Sequence, residues 1–84
     1  MTKAELLKKI ANEQESDLST IKYYVNNCAD IIKEIQDFMS SHFENLTELD
    51  SSCELYNLIG KLRNNQIFLS YAAISLKAHN QISN

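Results

Sequence analysis

The chain has 84 residues with a formal net charge of −3, and it contains one glycine and no proline. Turn-rich β folds need such residues at their hairpins, so this composition argues against them. At 44% hydrophobic residues the chain is too apolar to be disordered, and its length allows one domain of marginal stability. We therefore predict a single all-α domain over residues 1–84.

A first helix is predicted over about residues 3–42. Thr2 and Glu5 have the spacing of a capping box, which marks a helix start. Apolar residues then recur at alternate steps of four and three, the pattern of a heptad seam. The seam positions are Leu7, Ala11, Gln14, Leu18, Ile21, Val25, Cys28, Ile32, Ile35 and Met39. Apolar neighbours widen this stripe beyond that of a two-stranded coiled coil, which indicates a helical bundle.

The polar segment 12–20 leaves two interpretations open. Ser16 or Asp17 could cap a new helix, which would break the first helix near residues 13–17. The heptad spacing passes through the segment, and this favours one unbroken helix. An unbroken helix predicts a long helical hairpin that forms a dimeric four-helix bundle, the arrangement we favour. A break predicts a monomeric three-helix bundle.

A connection is predicted over about residues 43–51, where Ser, Asn, Thr and Asp gather. Leu46 and Leu49 are expected to close the end of the bundle there. Ser51 and Glu54 have the spacing of a second capping box.

That box predicts a second helix over about residues 52–79. Its seam positions, at the same alternating steps, are Leu55, Ile59, Leu62, Gln66, Leu69, Ala73, Leu76 and Asn80.

Both helices carry more apolar surface than one shared seam can cover, and residues 67–76 are apolar on nearly every side. Surplus apolar surface usually marks an interaction site. We therefore predict a non-catalytic protein–protein interaction module: a small regulator, inhibitor or chaperone-like adaptor that forms a homodimer, binds a protein partner, or does both. Gly60 is either a tolerated glycine or a point of close helix approach. The candidate partner-binding residues are Tyr23, Gly60, Ile67, Phe68, Tyr71 and Ile74.

The charges are unevenly distributed along the chain. Residues 30–54 contain seven acids and one base, whereas both ends are basic. In a hairpin the acids would lie at the turn and the bases at the open end. An antiparallel dimer is therefore favoured modestly, because exposed ion pairs contribute only about 0–1 kcal/mol each.

No residue pattern predicts catalysis. Neither His-x-x-x-His nor Cys-x-x-Cys occurs, so we expect no enzyme activity, metal, cofactor or small-molecule substrate. Cys28 and Cys53 fall on apolar helical positions and are expected to be reduced core thiols of a cytoplasmic protein. Residues 1–20 are charged throughout, and no segment is long enough to span a membrane.

Two further hypotheses rest on general form. The chain resembles in outline the Rop-like plasmid regulators, helical hairpins that dimerise and bind RNA with one face. That resemblance implies a basic RNA-binding surface, although the negative net charge counts against nucleic acid. The chain also resembles the small helical-bundle bacteriocin immunity proteins in size and helical content. For the Rop-like hypothesis, the bases expected to contact RNA are Lys3, Lys8, Lys9, Lys61, Arg63 and Lys77.

Overall fold

The computed structural model describes residues 2–83, which form two long helices packed antiparallel. Helix α1 spans Lys3–His42 and helix α2 spans Leu49–Ser83, with a 3₁₀ turn at Phe43–Asn45 between them. The hairpin measures 63 × 16 × 16 Å. The predicted helical hairpin is therefore confirmed. Because α1 continues unbroken through residues 13–17, the chain does not fold back into a three-helix bundle.

Local side-chain contacts define the ends of α1. The Thr2 hydroxyl accepts a hydrogen bond from the Glu5 backbone N–H at 3.2 Å. In return, the Glu5 carboxylate accepts one from the Thr2 backbone N–H at 3.3 Å. At the other end, the His42 ring stacks on Phe38, and its Nδ1 lies 3.1 Å from the Phe38 carbonyl oxygen. The first predicted capping box is thus present.

The second predicted capping box is wrong, because α2 begins at Leu49 rather than near Ser52. The Ser52 backbone N–H already donates to the Glu48 carbonyl at 2.9 Å, and its hydroxyl donates to the Leu49 carbonyl. Ser51 therefore lies inside the helix, where it cannot cap it. Leu46 is half-buried as expected, whereas Leu49 is 76% exposed and does not close the end of the hairpin.

The core of the hairpin is one narrow seam between the helices. Among the described residues, four hydrophobic side chains are buried: Ile10, Phe38, Leu58 and Ala72. The half-buried positions between them repeat at steps of three and four along both helices. Each helix thus turns one stripe toward the other and leaves its remaining sides to water.

Contacts across the seam fix the register of the two helices. The Tyr24 and Phe68 rings stack with centroids 5.4 Å apart. Asn27 Nδ2 lies 3.4 Å from Asn65 Oδ1. The Ser75 hydroxyl donates to Asp17 at 2.9 Å. In each pair the residue numbers add up to 92, so a residue of α1 lies level with 92 minus its number on α2.

We expect Gly60→Ala to stabilise the hairpin. Gly60 lies inside α2, its φ is not positive, and nothing lies within 4 Å of the position a Cβ would take. Alanine should raise the free energy of unfolding by about 0.5–1 kcal/mol, measured by urea denaturation, since glycine costs that much in a helix. The exposed Ala29→Gly should lower it by a similar amount. A loss of stability in Gly60→Ala would show that another chain packs against this glycine.

Candidate interaction surfaces

A column of exposed apolar side chains runs along one flank of α1. Residues seven apart share one side of a helix, and every member of this series is apolar. We define the α1 apolar column as Ala11, Leu18, Val25, Ile32 and Met39, all of which are exposed. The side chain of Leu18, the most exposed of the large members, is 57% accessible. The column is longer than two helical turns and has no partner within the hairpin.

The seam predicted from the sequence is only half correct. Its members Gln14, Ile21, Cys28 and Ile35 are half-buried, whereas the α1 apolar column is exposed. The α2 helix packs instead on the opposite flank, along Ile10, Asp17, Tyr24, Ile31 and Phe38. That flank offers Tyr24 and Phe38, which bury more apolar area than Val25 and Ala11 on the other.

The same shift occurs on α2. The half-buried or buried positions include Leu58, Asn65, Ala72 and His79, whereas the predicted Ile59, Gln66, Ala73 and Asn80 are exposed.

The two exposed columns lie on the same side of the hairpin. Gln14 Nε2 contacts Asn80 Oδ1 at 2.6 Å on one edge of the seam. Glu13 contacts His79 on the other edge. The α1 apolar column flanks Gln14, and Ile59 and Ala73 lie in the column of Asn80. We call the α1 apolar column together with Ile59 and Ala73 the broad apolar face.

Polar side chains occupy the seam near the open end of the hairpin. His79 Nε2 lies 3.3 Å from a Glu13 carboxylate oxygen and 3.6 Å from an Asp17 oxygen. Asp17, only 18% exposed, also accepts the Ser75 hydrogen bond. Sliding either helix by one turn would separate Asp17 from the Ser75 hydroxyl and the His79 ring, so these three residues specify the register.

A second exposed surface lies on α2 opposite α1. Ile67, Tyr71 and Ile74 are spaced i, i+4, i+7 and therefore share one face. Their exposed fractions are 44%, 64% and 64%. Gly60 precedes Ile67 by seven residues and lies in the same column. We call these four residues the α2 outer ridge; all four are among the six candidate residues predicted from the sequence.

The other two candidates, Tyr23 and Phe68, lie elsewhere. The Tyr24 ring contacts Tyr23 edge-on at 5.1 Å and stacks on Phe68. Phe68 therefore packs partly within the hairpin, although the residue remains 51% exposed. The structure therefore divides the candidates between the outer ridge and an aromatic group at the seam edge.

His, Cys, Asp and Glu side chains are the remaining groups that could take part in chemistry. Among the described residues, no group of three or more His, Cys, Asp or Glu side chains is placed to hold a metal ion. Cys28 is half-buried, but Cys53 is exposed, so the prediction of a core thiol is wrong there. Cys53 precedes Gly60 by seven residues and therefore lies in the outward column of α2, away from the seam.

Comparisons with known proteins give no information about these surfaces. No family model, no curated protein and no solved structure matches the chain. Within residues 2–83, neither helix combines the length and the apolar character needed to cross a membrane.

Replacing Asn65 by leucine should stabilise the hairpin. Asn65 is a polar, half-buried residue of the seam that meets Asn27 at 3.4 Å and its own helix at the Lys61 carbonyl. Leucine would add apolar burial beside Leu62 and Leu69, and we expect the free energy of unfolding to rise by about 1 kcal/mol.

Urea denaturation would measure this change. The matched control is Asn64→Leu at the exposed neighbouring position, which should change stability by less than about 0.5 kcal/mol. A large loss of stability in Asn65→Leu alone would contradict our interpretation and show that the Asn27–Asn65 contact stabilises the fold.

Proposed function

We propose that this chain is a non-catalytic protein-binding module, a small regulator, inhibitor or chaperone-like adaptor that docks its α2 outer ridge on another protein. The observation that supports it most is the exposure of Ile67, Tyr71 and Ile74 on the side of α2 that faces away from α1. A helix needs no such residues on its outward side for its own fold, because only the inward stripe packs. Their free energy of burial is therefore available for binding.

The spacing of the ridge suits one mode of recognition. Side chains at i, i+4 and i+7 are the anchors by which an amphipathic helix lies in an apolar groove of a partner. Tyr71 adds an aromatic side chain of the kind enriched among residues that dominate binding energy. Because residues 57–84 contain three bases and no acid, the best-matched partner has an apolar groove with an acidic rim.

A charge placed on the ridge should weaken partner binding. We expect the wild-type chain to co-purify a protein from its native host and to crosslink to it from a photoreactive residue at position 71. With the purified partner, Ile74→Asp should weaken binding at least about tenfold in calorimetry, because a carboxylate would enter an apolar groove.

Asn26→Asp is the matched control, since it adds the same charge to an exposed position of α1, away from the outer ridge. It should bind as wild type does, and circular dichroism should show equal helix content in all three proteins. Equal affinity of wild type, Ile74→Asp and Ile67→Asp would overturn the assignment of the ridge.

A further inference from the structure

We propose that a second copy of this chain covers the broad apolar face, with the two hairpins antiparallel and α1 packed on α1 of the second copy. The result is a four-helix bundle with twofold symmetry. This inference does not depend on the proposed function, because the α2 outer ridge lies on a different side of α2.

The hairpin exposes more surface than a compact monomer of the same mass would. The chain exposes 6520 Å². A compact monomer of 9.6 kDa would expose about 5,100 Å², which leaves an excess of about 1,400 Å². A standard interface buries about 800 Å² on each partner, and permanent homodimers bury more. The excess thus matches the area that a second copy would cover.

Two symmetric arrangements would bring the broad apolar faces together. If the hairpins are parallel, α1 of each copy packs on α2 of the other. If they are antiparallel, α1 packs on α1 and α2 packs on α2. Both arrangements are closed dimers, so the side chains along the columns must distinguish them.

The α1 apolar column is complementary to itself when reversed about Val25. Its spacing of seven then puts Ala11 opposite Met39, Leu18 opposite Ile32, and Val25 opposite Val25 of the second copy. Every pair is apolar, and the smallest side chain meets the longest. Alternating small and large residues across an interface allows close packing.

The α2 column on the broad apolar face meets the same column of the second copy, reversed about Gln66. Ile59 then lies opposite Ala73, and Ser52 lies opposite Asn80, so apolar residues meet apolar ones and polar residues meet polar ones. The register of the hairpin places residue 67 level with Val25. Gln66 is therefore within one residue, about 1.5 Å, of the same level. One twofold axis can serve both helices.

The parallel arrangement fits less well. With the same register it would put Val25 opposite Gln66 and Met39 opposite Ser52, apolar residues against polar ones. The first pair would bury the Gln66 amide without a hydrogen-bond partner, which costs about 1–3 kcal/mol.

Charge favours the antiparallel dimer as well. Residues 26–66, the turn half of the hairpin, contain seven acids and three bases, a net charge of −4. The rest of the chain contains four acids and five bases, a net charge of +1. Antiparallel pairing places each negative half beside a positive one, whereas parallel pairing stacks the two negative halves.

Light scattering after gel filtration tests the surface. We expect wild type to show twice the 9.6 kDa chain mass. Val25→Asp should raise the dissociation constant of the dimer at least about 100-fold, because two carboxylates would meet at the axis. Asn26→Asp adds the same charge to the exposed next position and should remain dimeric. Val25 is exposed in the single hairpin, so both variants should keep their helix content.

Cysteine crosslinking tests the orientation. In a Cys28→Ala, Cys53→Ser background, Val25→Cys should form a disulfide between copies under mild oxidation, since the two positions meet at the axis. Ala11→Cys is the control: its copy would lie 28 residues away along the bundle, about 42 Å, and should not crosslink. A monomeric mass at all concentrations, or a dimer in which Val25→Cys crosslinks no faster than Ala11→Cys, would overturn the proposal. Either result would leave partner binding by the outer ridge testable on its own.

Discussion

The structure depends on one constraint: each helix carries apolar residues on both flanks of a shared column, and a hairpin can cover only one flank. On α1 the shared column contains Ile21, Cys28 and Ile35, which are half-buried at the edge of the seam. The flank with Ile10 and Phe38 is buried by α2. The other flank stays exposed over five heptad positions. Its exposure is a direct consequence of the two-helix architecture, because no third helix exists within the described residues to cover it.

Polar and aromatic contacts, together with the larger apolar area that Tyr24 and Phe38 bury, specify which flank faces inward and in which register. Asp17 is the one charged residue of the inward column of α1, and Ser75 and His79 lie where they can contact its carboxylate. Packing α2 on the outward flank would separate these groups and leave Tyr24 without the Phe68 ring. Apolar surface therefore supplies most of the stability of the hairpin, whereas a few polar and aromatic pairs give it a unique arrangement.

Much of this fold could be predicted from the sequence, because the signals are local or periodic. The Thr2–Glu5 box, the absence of proline and the long heptad pattern led directly to a hairpin of long helices. The side of the seam could not be predicted, since a stripe of apolar residues does not tell which of its flanks a single neighbour will choose. The Ser51–Glu54 spacing does not locate the start of α2, because the same spacing also occurs inside a helix. The surplus of apolar residues on α2 points to the outer ridge, whereas the heptad spacing alone places the α1 apolar column in the core, where the structure does not have it.

The two exposed surfaces become related in the dimer we propose. An axis that packs α1 on α1 also packs α2 on α2, so the outer ridges of both copies point to the same side of the bundle. The axis passes α2 near Gln66, while Ile67, Tyr71 and Ile74 extend from it toward the open end of each hairpin. The two ridges therefore continue one another in opposite directions along a single side. A partner with one long groove, or with two grooves related by symmetry, would contact both copies at once. Its affinity would then depend on dimerisation through the effective concentration of the second ridge, even though the two surfaces share no residue.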